Sequence, residues 1–148
     1  IAHVGDSRAY RLRSGEFLQL TDDHSLVAQQ VREGRMTEAE AEASPLKNVL
    51  MRALGVDSTV EVEVDEQIAL EGDVYLLCSD GLTRELSDSQ IAGTLGETPD
   101  SQRAADRLID LANQAGGGDN ITAVVVRVGG KSAGTLGRIG RWFSGSGN

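Results

Sequence analysis

Val74–Leu82 reads Val-Tyr-Leu-Leu-Cys-Ser-Asp-Gly-Leu, an apolar run that ends on an acid and a glycine. Such a run, bounded by turn residues, predicts a buried strand. A carboxylate at the end of a buried strand is costly unless something compensates its charge, and a metal ion is one compensator. Gly116-Gly117-Gly118-Asp119-Asn120-Ile121-Thr122 has the same character, with an acid at the edge of the apolar strand predicted over Ala123–Val128. The first expectation is therefore that Asp80 and Asp119 meet in space at a metal.

The chain is long enough, at 148 residues, for one domain with a substantial core. Its formal charge of −9 argues against nucleic acid as a partner and suits a site that attracts divalent cations. The single cysteine, Cys78, cannot form an intramolecular disulfide, which favours a reducing, cytoplasmic setting. No apolar run approaches the length of a membrane span, and no signal peptide is visible. The chain opens on Ile1-Ala2-His3-Val4, already strand-like, which suggests a start inside a domain.

In chain order, Ile1–Val4 and Ala9–Arg13 read as strands separated by Gly5-Asp6-Ser7-Arg8. Tyr10 and Leu12 alternate with Arg11 and Arg13, and Ser14-Gly15 turns the chain into Glu16–Leu20 as a hairpin. Thr21, Asp22 and Asp23 are N-cap candidates for a helix carrying Leu26, Val27, Gln30 and Val31, with Gly34 at its end. Thr37 and Glu40 form a capping box for a helix over Glu38–Ala43, which Pro45 prevents from continuing. Val60–Val64 alternates strictly and predicts a half-buried strand with a wet acidic face. Ser87 caps a helix over Asp88–Leu95, and Gln102–Ala115 carries the clearest helical apolar face. Strands, then helices, then strands again point to an α+β or sandwich arrangement.

Two acids at strand edges suit a hard cation, because Mg²⁺ and Mn²⁺ prefer oxygen ligands. Gly81 and the Gly116–Gly118 run allow close approach of backbone, and Asn120 is placed to orient Asp119 as an outer-shell group. Either segment taken singly is an ordinary Asp-, Asn- and Gly-rich turn. Cys78 lies within an apolar strand and reads as an inert buried thiol.

Four stretches, taken together, resemble a known family. Gly5-Asp6-Ser7-Arg8, Leu20-Thr21-Asp22-Asp23-His24-Ser25, Cys78-Ser79-Asp80-Gly81-Leu82 and Gly118-Asp119-Asn120-Ile121-Thr122 follow the order and rough spacing of the metal-dependent protein phosphatases, the protein phosphatase 2C family. Glu33-Gly34-Arg35-Met36-Thr37, with Pro45 and Met51-Arg52-Ala53-Leu54-Gly55, resembles the flap of its bacterial members, here about residues 23–54. The resemblance covers roughly residues 1–128. It implies two stacked antiparallel β-sheets flanked by helices, with the N-terminal part of the domain missing from this chain. It also implies two Mg²⁺ or Mn²⁺ ions about 3.5–4 Å apart, a third weaker one, and a metal-activated water that attacks phosphoserine or phosphothreonine in proteins.

By the same resemblance, Asp80 and Asp119 are metal ligands, and Asp6 helps to hold the third ion with Asp80 shared. Asn48 stands where some relatives have a flap serine. The phosphate-binding Arg, the general-acid His and the Asp that bridges the metals are expected upstream of this chain, so no catalytic residue is assigned within it. His24 reads as structural, His3 as packing or surface, and Arg8 as the ion-pair partner of an acid. The implied partners are phosphorylated proteins, a cognate Ser/Thr kinase and that kinase's substrates.

Residues 129–148 are rich in Gly and Ser and carry Lys131, Arg138 and Arg141 without an acid. They read as a tail outside the folded core, with a weak membrane-surface contact as the functional alternative. The rival to the enzyme is a phosphatase-like regulatory or binding module without catalysis. Retention of both Asp80 and Asp119 favours the enzyme.

Overall fold

The chain is described by a computed structural model covering residues 1–56 and 58–129. Its backbone is a four-stranded antiparallel sheet whose central strands are β2 (Arg8–Arg13) and β5 (Val74–Cys78). β3 (Glu16–Gln19) flanks β2, and β6 (Ala123–Arg127) flanks β5, giving the order β3-β2-β5-β6. In the register, Tyr10 faces Leu76, and Leu76 faces Val125. The β2–β3 turn places Ser14 and Gly15 at φ 51° and 87°. That pair of positive angles matches the right-handed twist of a two-residue hairpin.

Three helices cover one face of this sheet: α3 (Asp80–Thr83), α4 (Asp88–Glu97) and α5 (Ser101–Ala115). They are numbered after α1 (Leu26–Arg32) and α2 (Glu38–Ala43), which lie between β3 and β5 in the chain. The alternation of β5 sends Val74, Leu76 and Cys78 into the core, where they join Tyr10, Leu82, Ile91, Leu95, Ala104 and Leu108. The Ser87 side chain caps α4 in a capping box with Gln90, and Asp100 caps α5. From β6, Arg127 Nη2 donates to the carbonyls of Leu95 and Thr98 at 2.6 Å each, satisfying the C-terminal end of α4.

The opposite face of the sheet is different. Leu77, Val124 and Val126 are each about half exposed, at 46%, 51% and 48%. The run Val74–Cys78, read from its sequence as a buried strand, is thus buried on one side only. Ile1, Ala69, Tyr75 and Leu77 line a shallow hollow of about 300 Å³ on this face. The second sheet is small: β1 (Ala2–His3) pairs with β4 (Glu63–Val64). Val60–Val64 therefore forms a strand only at its end, with Val62 and Val64 exposed, because a two-residue partner offers little to pair with or pack on.

Other sequence expectations shift by small amounts. The N-cap of α1 is Ser25, whose Oγ accepts the Ala28 N–H at 3.2 Å, not Thr21, Asp22 or Asp23. Two of those have other duties: Thr21 Oγ1 accepts the Ala9 N–H, and Asp23 pairs with Arg8. The capping box of Thr37 and Glu40 forms as the spacing predicts, with α2 over Glu38–Ala43. The segment over residues 23–54, expected to be mostly helical, is helical only in α1 and α2; turns and bends take up most of the rest. Its two ends are tied together, since Leu26 N–H donates to the Val49 carbonyl and Met51 N–H to the His24 carbonyl. The tail expected over residues 129–148 lies, beyond Gly129, outside the described residues.

One buried ion pair gives the fold an acid limit. Asp73 is 1% exposed; its carboxylate accepts from Arg13 at 2.7 and 2.6 Å, from the Leu70 N–H at 2.8 Å and from the Tyr75 hydroxyl at 3.2 Å. The Arg13 guanidinium holds this carboxyl well below its ordinary value of 3.8, outweighing the opposite effect of burial. A depressed native pKa contributes stability above the unfolded value and loses it as pH falls through the folded one. Thermal melts should therefore show the wild type losing stability below about pH 4 more steeply than Asp73→Asn, which starts lower but lacks this titration. Parallel acid profiles for the two proteins would remove Asp73 from that role.

Candidate metal centre

Asp80 does not close β5. After Cys78 the chain passes through Ser79, the N-cap of α3, and Asp80 is the first residue of that helix. An acid in a first helical turn is favourably placed against the helix dipole. The helical geometry also puts residue 84 one turn further on, on the same side. There Arg84 Nη2 reaches Asp80 Oδ2 at 2.5 Å.

The same guanidinium reaches the second acid. Arg84 Nη1 donates to Asp119 Oδ2 at 3.2 Å, and Nη2 also donates to Asn48 Oδ1 at 2.9 Å. Three segments far apart in sequence thus converge on one cation. The loop that brings Asp119 is pinned from below. Ser79 Oγ donates to the Asn120 carbonyl and accepts the Thr122 N–H, both at 3.0 Å, while Ser79 N–H donates to the Thr122 carbonyl. The Gly118 N–H adds a bond to Glu85 Oε1 at 3.2 Å. Asn120 orients Asp119 through its backbone, donating its N–H to Asp119 Oδ1 at 2.7 Å. Any residue but proline at 120 can supply that amide, and among the described residues no hydrogen bond supports the outer-shell role expected of the Asn120 side chain.

Asp6 belongs to the same neighbourhood. Burial, and then the negative charge of Asp80, hold its carboxyl above the ordinary carboxylate value, with Arg84 acting in the opposite direction. The strand-end loop that carries Asp6 is set by Gly5, whose N–H donates to Nδ1 of the buried His24 at 3.2 Å. Asp80, Asp119, Asp6 and Asn48 are all oxygen donors, and a positively charged group already stands between three of them. That donor set fits a hard divalent cation.

A second cluster is of another kind. His3, His24 and Glu63 bring one ligand atom each within 4.8 Å of one another, and the two rings lie 4.3 Å apart. With Gly5 N–H donating into Nδ1, the ring proton of His24 must sit on Nε2, where it is given to Glu63 Oε2 at 3.0 Å. The atom a metal would need is thus already spent on a hydrogen bond, and His24 works as a structural clamp on the Asp6 loop. Arg8 is likewise structural, forking onto Asp23 at 2.9 and 2.8 Å. Cys78 is inert, since burial pushes its thiol up to about 12.

No family model matches the chain. Relatives do. The serine/threonine protein phosphatase PstP of Mycobacterium tuberculosis is 45% identical over 128 residues, covering 86% of this chain and 24% of that protein. Among solved structures, the serine/threonine phosphatase of S. agalactiae superposes with a TM-score of 0.81 at 43% identity, over 85% of this chain and 52% of the other. The chain belongs to the protein phosphatase 2C-like family. The catalytic domain of PstP in complex with two manganese ions matches with a TM-score of 0.73 at 44% identity, over 87% of this chain and 53% of that domain. This phosphatase 2C-like chain therefore spans between a quarter and about half of the proteins it matches.

Arg84 is the residue that sequence reasoning missed. The signal was present in the i, i+4 spacing from Asp80, but it becomes visible only once Asp80 is placed in a helix rather than at the end of a strand.

Proposed function

We propose that the chain is the C-terminal portion, residues 1–128, of a phosphatase 2C-like catalytic domain that hydrolyses phosphoserine and phosphothreonine in proteins. The observation that carries this reading is the convergence of Asp80, Asp119 and Asn48 on a single cation, with Asp6 beside Asp80. Asp80 and Asp119 would hold Mg²⁺ or Mn²⁺, and Asp6 with Asp80 a third ion. When bound, the metal pair supplies a water of lowered pKa and neutralises charge on the phosphoryl group. The chain's own residues position these carboxylates: Ser79 and Thr122 lock the two loops together, and the His24–Gly5 bond fixes the loop of Asp6.

The exposed apolar face of the four-stranded sheet supports the same reading. Leu77, Val124 and Val126 stand where the inner face of a sandwich would lie, ready to be covered by a second sheet from the rest of the domain. The parent protein's partners are phosphorylated proteins, with a cognate Ser/Thr kinase and its substrates as the proposed physiological set. Among the described residues no helix is long and apolar enough to cross a membrane. We place the enzyme in the cytoplasm, where the unpaired Cys78 would stay reduced.

The test is to assay this chain and an upstream-extended form on a phosphothreonine peptide with Mn²⁺. Turnover should belong to the extended form, because the groups that bridge the metals, bind phosphate and protonate the leaving group lie upstream. A positioned general acid alone contributes about 10²–10⁴-fold. Equal metal-dependent turnover by both would overturn the assignment of the missing half. An extended form that binds phosphopeptide without cleaving it would favour the regulatory module.

A further inference from the structure

Arg84 is not packed into the core; its side chain is 38% exposed and its polar end is committed to three oxygen acceptors. Asp80 comes from the first turn of α3, Asp119 from the loop before β6, and Asn48 from the segment over residues 23–54. One guanidinium therefore neutralises both acids proposed as metal ligands and ties the end of the 23–54 segment to them. Guanidinium forks match carboxylates well, and a divalent ion would seek the same oxygens.

We propose that Arg84 is a built-in counter-cation that a divalent metal must displace, so that metal binding also releases Asn48 and unfastens the 23–54 segment from the acids. This rests on the reading of Asp80 and Asp119 as metal ligands. Arg84 lowers the affinity of the site and keeps the acids paired while no metal is held. Two partly exposed charge pairs of this kind are modest individually but act on the same oxygens.

The experiment uses the upstream-extended protein, which also carries the group proposed to bridge the metals, with Mn²⁺ and Mg²⁺ as probes. Calorimetric titration with Mn²⁺ is compared for wild type, Arg84→Gln, Arg84→Lys and Asp119→Asn. Arg84→Gln should tighten binding about tenfold. Arg84→Lys, which keeps the charge, should stay within about threefold of wild type. In parallel, the arginine side-chain NMR signals of Arg84 should shift when Mg²⁺ saturates the site. If Asp119→Asn weakens binding but Arg84→Gln does not tighten it, or if the Arg84 signals stay fixed at saturation, the counter-cation role is overturned and the metal site stands. If Asp119→Asn leaves binding unchanged, the metal-site reading itself falls, and the role of Arg84 with it.

Discussion

Asp119→Ala, introduced into the upstream-extended protein, is expected to lower Mn²⁺-dependent turnover of a phosphothreonine peptide by about 10²–10³-fold or more, the range seen when one preorganised electrostatic group is removed. Asp119 is fixed from two sides, by the Asn120 amide and by Arg84. Its carboxylate is thus held in place before any ligand arrives, which is what makes an electrostatic group effective. Asp80→Ala should have a loss of the same order, since Asp80 is held by the same guanidinium from the first turn of α3. Asn120→Ala is the informative contrast. The orienting bond comes from the backbone N–H, so this variant should keep turnover within about tenfold of wild type, the mild end of outer-shell effects. Steady-state kinetics across a Mn²⁺ titration would separate the cases. Asp119→Ala should fail at any metal concentration, whereas a variant that only weakens binding should recover at high Mn²⁺. Survival of the Asp119→Ala enzyme would remove Asp119 from the metal centre.

Gly81→Ala should damage stability and site together. A Cβ at Gly81 would lie 2.5 Å from the Asn120 carbonyl oxygen and 3.1 Å from its carbon. Both are backbone atoms, and the Asn120 carbonyl is held by Ser79 Oγ at 3.0 Å, so they cannot swing aside as the end of a side chain would. Gly81 itself is buried at the start of α3. Overpacking of this kind costs about 1–3 kcal/mol, and relief requires the Asp119 loop to move away from α3. The expected result is a lower denaturation midpoint together with weaker Mn²⁺ binding. Gly93, in the middle of α4, has open space around a built Cβ. Gly93→Ala should therefore be neutral or slightly stabilising, because alanine favours the helix by up to about 1 kcal/mol. A Gly81→Ala protein as stable as wild type would mean that the two loops do not pack as closely as described.

How much of this could be read in advance depends on the range of the interactions. Segments whose structure is decided by near neighbours were legible. The capping box of Thr37 and Glu40, the Ser14-Gly15 hairpin and the apolar face of Ala104, Leu108 and Ala112 all follow from residues within one or two turns of each other. That Asp80 and Asp119 each lie beside an apolar run was likewise visible, because apolar strands and glycine-rich turns leave a strong local signature.

Tertiary structure decided the rest. Whether Val74–Cys78 is buried on one face or two depends on what packs over the sheet, not on its own apolar residues; helices cover one side, and Leu77, Val124 and Val126 are left open on the other. Val60–Val64 has the alternation of a strand but pairs only at its end, since strand formation needs a partner edge of matching length. The meeting of Asp80, Asp119 and Asn48 at Arg84 joins positions separated by more than thirty residues. Sequence by itself determined most of the helices and central strands, and which acids lie next to apolar runs. Only the folded chain decided which charges would face each other, because Coulombic pairing depends on distance in space, and the chain sets that distance by packing rather than by composition.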